Sequence, residues 1–159
     1  MAQTENWDHG LEKLLAWQKA MSLAVMICKK AIPVLPTEEK YALADQLRRS
    51  AQSIPANIAE GHGRYYFQEG VRYCYLARGS LEETRSHLFF ACKMGYLSEA
   101  AFQAWNKDIE ELRRILNGYI AFLKRTKRGA EEKEFLATIR ETSEVYELES
   151  IDQDDLFTS

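Results

Sequence analysis

The sequence predicts an all-α protein, an antiparallel up-down-up-down four-helix bundle followed by an acidic C-terminal tail. Four stretches of the chain place apolar residues at alternating steps of three and four, which is the spacing of one stripe along a helix. No stretch shows the period of two that is typical of a half-buried strand. Short segments join the four stretches, and short connections between long helices make neighbouring helices antiparallel.

The four apolar stripes follow one another along the chain. The first contains Leu14, Trp17, Met21, Ala24, Cys28 and Ala31. The second contains Ala44, Leu47, Ala51, Ile54 and Ile58. The third contains Cys74, Ala77, Leu81, Thr84, Leu88 and Ala91. The fourth contains Phe102, Trp105, Ile109, Leu112, Leu116, Tyr119 and Leu123. Each stripe predicts the core-facing side of one helix, and the third helix, at about 27 residues, should be about 40 Å long.

Turn-forming residues separate the first two predicted helices. Pro33 and Pro36 end the first helix because proline lacks the backbone N–H that a helix interior needs. Thr37 is placed to cap the second helix, and the negative charges of Glu38 and Glu39 suit the positive end of its dipole. We therefore expect the second helix to begin directly after Thr37.

Glycines mark the ends of the later helices. Gly61 and Gly63 end the second helix. Gly95 ends the third, and Ser98 offers its side chain to cap the fourth. Gly129 closes the fourth helix after a run of lysines and arginines, whose positive charges suit a helix C-terminus.

Pro55 lies inside the second predicted helix, where it removes one backbone hydrogen bond. The apolar stripe stays in phase on both sides of it, which favours a kink over a restart capped by Ser53. The next segment, Gly61-His62-Gly63-Arg64, has glycines like those of a phosphate-binding loop. It lacks the preceding strand, the third glycine and the Lys-Ser/Thr pair of such loops, so a helix end and turn is favoured over a nucleotide cradle.

The composition suits one globular domain in the cytoplasm. The chain has 159 residues, 46% of them hydrophobic, which suffices for a core without metals or disulfides. Acidic residues interrupt the first stretch of the chain and no run of about 18 apolar residues occurs, so we expect neither a secretion signal nor a membrane span. The three cysteines lack CxxC spacing, which argues against a disulfide framework or a zinc site and fits a reducing compartment. They are Cys28, Cys74 and Cys92.

Residue patterns typical of an enzyme are not visible in the sequence. The three histidines have no i,i+4 partner and no HExxH context, so surface or packing roles are favoured over metal ligation. They are His9, His62 and His87. No Ser-His-Asp or Cys-His arrangement can be argued from residue order alone. We therefore expect a non-enzymatic protein with no catalytic residues, no metal and no cofactor.

Charge divides the chain into a basic body and an acidic end. Residues 130–159 hold ten acidic and two basic side chains, a net charge of −8, whereas residues 1–129 hold 19 basic and 14 acidic side chains, a net charge of +5. We divide the chain into an N-terminal extension at 1–10, a four-helix bundle at 11–129 and the acidic tail at 130–159. A mildly basic body is the first indication of a negatively charged partner.

Three interpretations of the role of the acidic tail stay open. Phe135, Leu136 and Ile139 could form a short amphipathic helix, whereas Ser150 to Ser159 has the composition of a disordered segment. The tail could fold onto the basic body and lower its affinity for polyanions. Alternatively, it is a solvated tail that only improves solubility, or it docks a partner.

Arginines line the polar sides of two predicted helices. At about 100° per residue, one sector of the second helix contains Arg49, Ser53, Asn57, Glu60 and Arg64. One line along the third helix contains Arg78, Glu82 and Arg85. One interpretation is a pair of solvated faces with i,i+4 ion pairs. The other is that surplus arginines hold phosphates while the glutamates orient them.

Aromatic residues are crowded around the third predicted helix, and several lie off its apolar stripe. They are Tyr65, Tyr66, Phe67, Tyr73, Tyr75, Phe89 and Phe90. Such an excess is more often a subunit interface than a base-stacking platform. We therefore expect the protein to form homo-oligomers.

Four short motifs carry a family resemblance. LRRSAQSIPANIAEG at residues 47–61 is followed by Gly63 and Arg64, and the others are LAWQKAM at 15–21, GSLEE at 79–83 and GYL at 95–97. Over residues 11–125 the chain resembles the bacterial four helix bundle proteins. Some members of this family are encoded within intervening sequences of large-subunit ribosomal RNA genes. Their relatives include the accessory variability determinant of diversity-generating retroelements.

The resemblance implies a four-helix bundle that assembles as a ring, in known relatives a pentamer with a positively charged surface. In the retroelement branch it further implies binding of nucleic acid and of a reverse transcriptase. Fold transfers within such a family more safely than function does. The acidic tail lies outside the part of the chain that carries the resemblance.

We therefore predict a non-enzymatic, ring-forming bundle that binds RNA or DNA electrostatically, as an accessory factor to a reverse transcriptase. The predicted nucleic-acid-binding residues are Arg48, Arg49, Asn57, Arg64, Arg72, Arg78 and Arg85. The alternative is a protein–protein interaction scaffold of the ribosomal RNA intervening-sequence type, with no direct role for nucleic acid.

Overall fold

Four helices make up most of residues 10–127, the part of the chain that the structure, a computed structural model, describes. They are α1 (Leu15–Met26), α2 (Leu43–His62), α3 (Phe67–Lys93) and α4 (Glu99–Thr126). Between α1 and α2 lie a π-helical turn, Ile27–Ala31, and two 3-10 turns, Ile32–Val34 and Thr37–Glu39. No strand occurs within 10–127. The expectations for residues 1–9, for Gly129 and for the acidic tail fall outside the described residues.

The helices form the predicted all-α, antiparallel four-helix bundle. Helix α2 packs against α1 and α3, and α4 closes the bundle by packing against α3 and α1. One continuous core of apolar side chains runs between the four helices. It also contains one polar pair, since Thr84 Oγ1 donates to Ser50 Oγ at 2.9 Å across the α2–α3 contact. Because both hydroxyls are hydrogen-bonded, their burial is tolerated.

Three of the four predicted stripes face the core. Every residue of the second and third stripes is buried. In the fourth stripe, four residues are buried and three are partly buried, the latter being Trp105, Tyr119 and Leu123. The length of α3, 27 residues, also agrees with the predicted length.

The stripe predicted for α1 is wrong in its direction. Ala24 and Ala31 of that stripe are buried, but Trp17 and Cys28 are only partly covered and Met21 is 37% exposed. The buried side consists of Ala16, Ala20, Leu23, Ala24, Ile27 and Ala31. Helix α1 is apolar on more than one side, so spacing alone does not select the side that faces the core. Four alanines face inward together with Leu23 and Ile27, whereas Trp17, Met21 and Val25 line a surface groove against α2.

The predicted start of α2 is also wrong. Thr37 begins a separate 3-10 turn, and α2 begins six residues later at Leu43, with no side-chain cap from the residue before it. The Glu39 carboxylate accepts the Leu43 N–H at 3.2 Å and the Tyr96 hydroxyl at 3.2 Å. This carboxylate therefore serves the free amide end of α2 from outside the helix and also ties that end to the α3–α4 connection.

Three other predicted helix boundaries agree with the structure, namely the end of α2, the end of α3 and the start of α4. Helix α2 runs through Pro55 without a restart and ends at His62, followed by Gly63, so the glycine segment is a helix end and not a nucleotide cradle. Gly95 takes a φ of +76° directly after α3, a conformation that glycine adopts at low cost. Ser98 caps α4 by accepting the Ala101 N–H at 3.1 Å.

Two glycines let α2 and α3 approach closely near the turn that joins them. A Cβ atom at Gly61 would lie 2.8 Å from the Tyr73 Cβ and 3.1 Å from the Gly70 carbonyl oxygen. A Cβ atom at Gly70 would lie 3.5 Å from Leu123 of α4. The ends of three helices are therefore held together at this end of the bundle.

Candidate nucleic-acid interface

A regular row of polar contacts joins α3 to α4 on the outside of the bundle. We call this row the α3–α4 seam. From one end to the other its cross-helix pairs are Tyr75–Lys124, Arg78–Asn117, Glu82–Arg113 and Arg85–Asn106. Residue numbers rise on α3 while they fall on α4, as antiparallel packing requires. The seam therefore brings four cations to one face of the bundle.

Two of these cations, Arg78 and Lys124, share one aromatic ring. The Lys124 Nζ donates to the Tyr75 hydroxyl at 2.9 Å and lies 5.4 Å from the centre of its ring. The Arg78 guanidinium carbon lies 4.9 Å from the same ring centre, and its Nη1 donates to Asn117 Oδ1 at 2.9 Å. The ammonium of Lys124 lowers the pKa of Tyr75 by hydrogen bonding and by its charge. We call Arg78 and Lys124 the cation pair.

The cation pair has no carboxylate partner in the part of the chain that the structure describes. Among residues 10–127, neither Arg78 nor Lys124 lies within 4.0 Å of an acidic side chain, and both are positioned by neutral groups. Amide and phenol oxygens fix the geometry of a cation without cancelling its charge. Most of the five N–H donors of Arg78 stay available, so the pair is prepared for an anion such as a phosphate.

The two other cations of the seam, Arg85 and Arg113, differ in whether their partners are neutral or negatively charged. Arg85 Nε donates to the neutral Asn106 at 2.7 Å and keeps its net charge. Arg113 is fully compensated, because it contacts the carboxylates of Glu82 and Glu110. These two glutamates raise the pKa of Arg113, and the hydrogen bonds that Arg113 donates to Glu82 are the largest cause. Positive charge on the seam is therefore concentrated at its two ends.

The predicted role of Glu82 needs correction. The sequence placed it in line with Arg78 and Arg85 as a residue that would orient them. In the structure its carboxylate turns away from both and takes two hydrogen bonds from Arg113 of α4, at 2.6 and 2.9 Å. The Glu82 carboxylate pairs with Arg113 of the neighbouring helix because the guanidinium of Arg113 can donate two parallel N–H hydrogen bonds to it.

Arg64 lies at the end of α2 and is largely compensated. Its guanidinium contacts Glu60 one turn earlier, which raises the pKa of Arg64, and its Nε lies 3.9 Å from Glu69. Arg64 also donates to the Tyr73 hydroxyl at 3.3 Å. The i,i+4 ion pair that the sequence offered as one interpretation of this face is therefore present. Asn57 donates to the Ser53 carbonyl oxygen at 2.8 Å within the same helix.

The three remaining predicted residues lie apart from the seam. Arg48 and Arg49 are exposed in the first half of α2, and Arg72 is exposed near the start of α3. None of them has a hydrogen bond or ion pair within the described part of the chain. The structure therefore brings together Arg78 and Arg85 of the predicted set and distributes the others over α2 and α3.

Sequence reasoning missed the α4 half of the seam. Asn106, Asn117 and Lys124 were not among the predicted site residues, and Tyr75 was considered only as an interface aromatic. A signal was available in the spacing, because polar residues at 106, 113, 117 and 124 follow steps of seven, four and seven and so share one side of α4. Positions 75, 78, 82 and 85 follow steps of three, four and three, so these residues also share one side of α3.

Metal-ligating side chains are not clustered anywhere in residues 10–127. No group of three or more His, Cys, Asp or Glu side chains is close enough to hold a metal ion there. Burial raises the pKa of the Cys74 thiol to about 11, which keeps it protonated at neutral pH. The helices of this part of the chain include none that is long and apolar enough to cross a membrane.

Comparison with known proteins places the fold and the family. A structure of similar fold is that of a protein of unknown function from the S23 ribosomal protein family of Bacteroides thetaiotaomicron, with a TM-score of 0.61 and 23% sequence identity. The similarity covers 67% of this chain and 98% of that one. No curated protein matches the sequence. Residues 12–118 match the family model of the 23S rRNA-intervening sequence protein, and the chain therefore belongs to that family.

Proposed function

We propose that this chain is a non-catalytic protein that binds the phosphate backbone of RNA or DNA through the α3–α4 seam. The observation that carries the proposal is the cation pair, Arg78 and Lys124, which neutral groups hold in place and no carboxylate among residues 10–127 neutralises. Arg85 continues the site at the other end of the seam. Aligned cations with open donors are the groups that contact phosphates in nucleic-acid complexes.

The charge of the bundle supports this proposal. Residues 10–127 contain 18 lysines and arginines and 12 acidic residues, a net charge of +6. Exposed Arg48, Arg49 and Arg72 add to the positive field around the seam. Because none of these side chains belongs to a recognisable base-reading element, we expect binding that tolerates many sequences.

The salt dependence of binding tests the proposal. Contacts between three seam cations and phosphates should make the affinity for a short RNA or DNA fall at least about 20-fold between about 50 and about 200 mM salt. Filter binding at several salt concentrations measures this. An affinity that is unchanged over that range would favour the alternative, a protein-interaction scaffold.

Self-association is the second part of the proposal. We propose that copies of this chain form a ring, with one copy covering the apolar groove between α1 and α2 of the next. The groove has a volume of about 570 Å³, and Trp17, Met21, Val25 and Pro55 are among its lining residues. Large apolar side chains at the surface are typical of contacts between subunits. The ring size of five rests on the family resemblance alone.

A charged residue in the groove should disrupt this assembly. Val25 is 42% exposed and lines the groove, so a Val25→Glu variant should fold and sediment as a smaller species than the wild type. Val34→Glu is the matched control, because Val34 is 57% exposed and lies outside both the groove and the aromatic cluster of α3. Sedimentation velocity measures both. The proposal is wrong if the wild type sediments as a monomer or if the two variants behave alike.

Three further expectations stay predictions. A partnership with a reverse transcriptase rests on the family resemblance, and no contact among residues 10–127 bears on it. A cytoplasmic location rests on the use of cysteine. An inhibitory tail rests on the charge of residues 130–159.

A further inference from the structure

A small aromatic pocket lies at the end of the bundle where α2 meets α3. We call it the end pocket. It has a volume of about 310 Å³ and lies between the end of α2, the start of α3 and the last turns of α4. Its aromatic lining residues are Tyr65, Tyr66, Phe67, Tyr119 and Phe122. Its volume is at the lower limit of small-molecule sites, so it suits one small planar group.

The rings of the end pocket are arranged for stacking. Tyr119 and Phe122 have ring planes only 15° apart, with centres separated by 6.3 Å. Tyr65 and Tyr66 meet edge to face at 5.3 Å. The Tyr119 hydroxyl makes no hydrogen bond within residues 10–127, and this partly buried group can therefore donate to or accept from an incoming ligand.

Two arginines, of which Arg64 is largely compensated, lie beside the end pocket, and its lining is continuous with the seam along α4. The Arg125 guanidinium carbon lies 5.9 Å from the centre of the Phe122 ring, and Arg64 is one of the lining residues. Leu123 lines the pocket, while the adjacent Lys124 belongs to the cation pair of the seam. Phosphates on the seam would therefore bring the attached nucleoside to the last turns of α4.

We propose that the end pocket takes one unpaired nucleobase of a single strand whose phosphates lie on the cation pair. This inference rests on the proposed function and narrows it, because a base held in a duplex cannot enter the pocket. Every base has a π-face, so stacking on Tyr119 and Phe122 would be sequence-tolerant. Single-stranded RNA and DNA are recognised in this way, by aromatic stacking combined with a cationic track for the backbone.

Two strands that differ only in their bases test this inference. The probes are a labelled oligothymidylate and an abasic strand of the same length, and fluorescence anisotropy at one salt concentration gives both affinities. We expect the wild type to prefer the base-bearing strand by about 5- to 100-fold. In a Phe122→Ala variant most of this preference should disappear, with the affinity for the abasic strand unchanged.

The control is Phe90→Ala. Phe90 is 50% exposed and Phe122 47% exposed, so neither variant should unfold, and Phe90 lies near the opposite end of α3. Phe90→Ala should keep the wild-type preference. Equal affinity of the wild type for both strands would overturn the inference and leave phosphate binding intact. Failure to bind either strand would overturn the proposed function as well. A Phe122→Ala variant that assembles differently but keeps the base preference would assign the pocket to a contact between copies.

Discussion

Reversing both charges of the cation pair should weaken binding of a short RNA or DNA about 100-fold at low salt. The double variant Arg78→Glu, Lys124→Glu removes two phosphate contacts and puts two negative charges in their place. A loss of about 2.7 kcal/mol corresponds to 100-fold in affinity, which is the scale of two charge-assisted contacts. Because both side chains have neutral partners, the fold loses only two hydrogen bonds and one aromatic contact site. Fluorescence anisotropy measures the affinity.

A second double variant separates local contacts from overall charge. Lys107→Glu with Arg114→Glu changes the net charge of the protein by the same amount, but both residues lie near Glu111 on the side of α4 that faces α1. We expect this variant to lose much less affinity, because screening at moderate salt confines a charge to about 10 Å. Equal losses in the two double variants would show that the seam has no special role.

Replacing Gly61 by alanine should lower the free energy of unfolding by about 1–3 kcal/mol, although alanine is the better helix former. The new methyl group would lie 2.8 Å from the Tyr73 Cβ and 3.1 Å from the Gly70 carbonyl oxygen. Both are at or next to the backbone, so relief requires α2 and α3 to separate where they are packed most closely. Urea unfolding followed by circular dichroism measures the change.

Gly118→Ala is the matched control for this change. Gly118 lies inside α4, and no atom outside its own helix is within 4 Å of the position that its Cβ would take. Alanine there should raise the free energy of unfolding by about 0.5–1 kcal/mol, since the helix gains propensity without a clash. The two glycine substitutions should therefore change the free energy of unfolding in opposite directions. If both stabilise the protein, the close approach of α2 and α3 is not the constraint that we infer.

Local signals in the sequence were enough to predict most of the fold. Helices α2 and α4 are apolar mainly on one side, so the spacing of their stripes identifies the buried side. Helix α3 also exposes aromatic residues, but its predicted stripe is the buried side. Ser98 caps α4 and Gly95 ends α3. Both roles involve only residues nearby in the sequence, so they can be predicted from residue type.

The predictions of the fold fail where a residue that is distant in the sequence determines the local structure. Thr37 has the chemistry of a cap, but Glu39 is held by Tyr96 from the α3–α4 connection and serves the first amide of α2 instead. In α1 two apolar sides compete, and packing against α2 and α4 selects the side with Ala16 and Ala20. The spacing of apolar residues within α1 does not show which of its two apolar sides is buried.

The candidate site was predictable in its residue types and only partly in its geometry. Arg78 and Arg85 share the seam because they are spaced by seven on one helix, which the sequence shows. Their partners Asn117 and Asn106 depend on the register between α3 and α4, which no local pattern fixes. The same register pairs Glu82 with Arg113, so that within residues 10–127 no carboxylate compensates the charges of Arg78 and Arg85.

The slope of binding affinity against salt concentration tests the central proposal most directly. In a plot of log K against log salt, each phosphate contact contributes about 0.7 for single strands and about 0.9 for duplexes. We expect the neutralised variant Arg78→Gln, Lys124→Gln to have a slope smaller than that of the wild type by about 1.4 to 1.8, and Lys107→Gln with Arg114→Gln to keep the wild-type slope. Identical slopes for the wild type and the Arg78, Lys124 variant would mean that no phosphate rests on the cation pair.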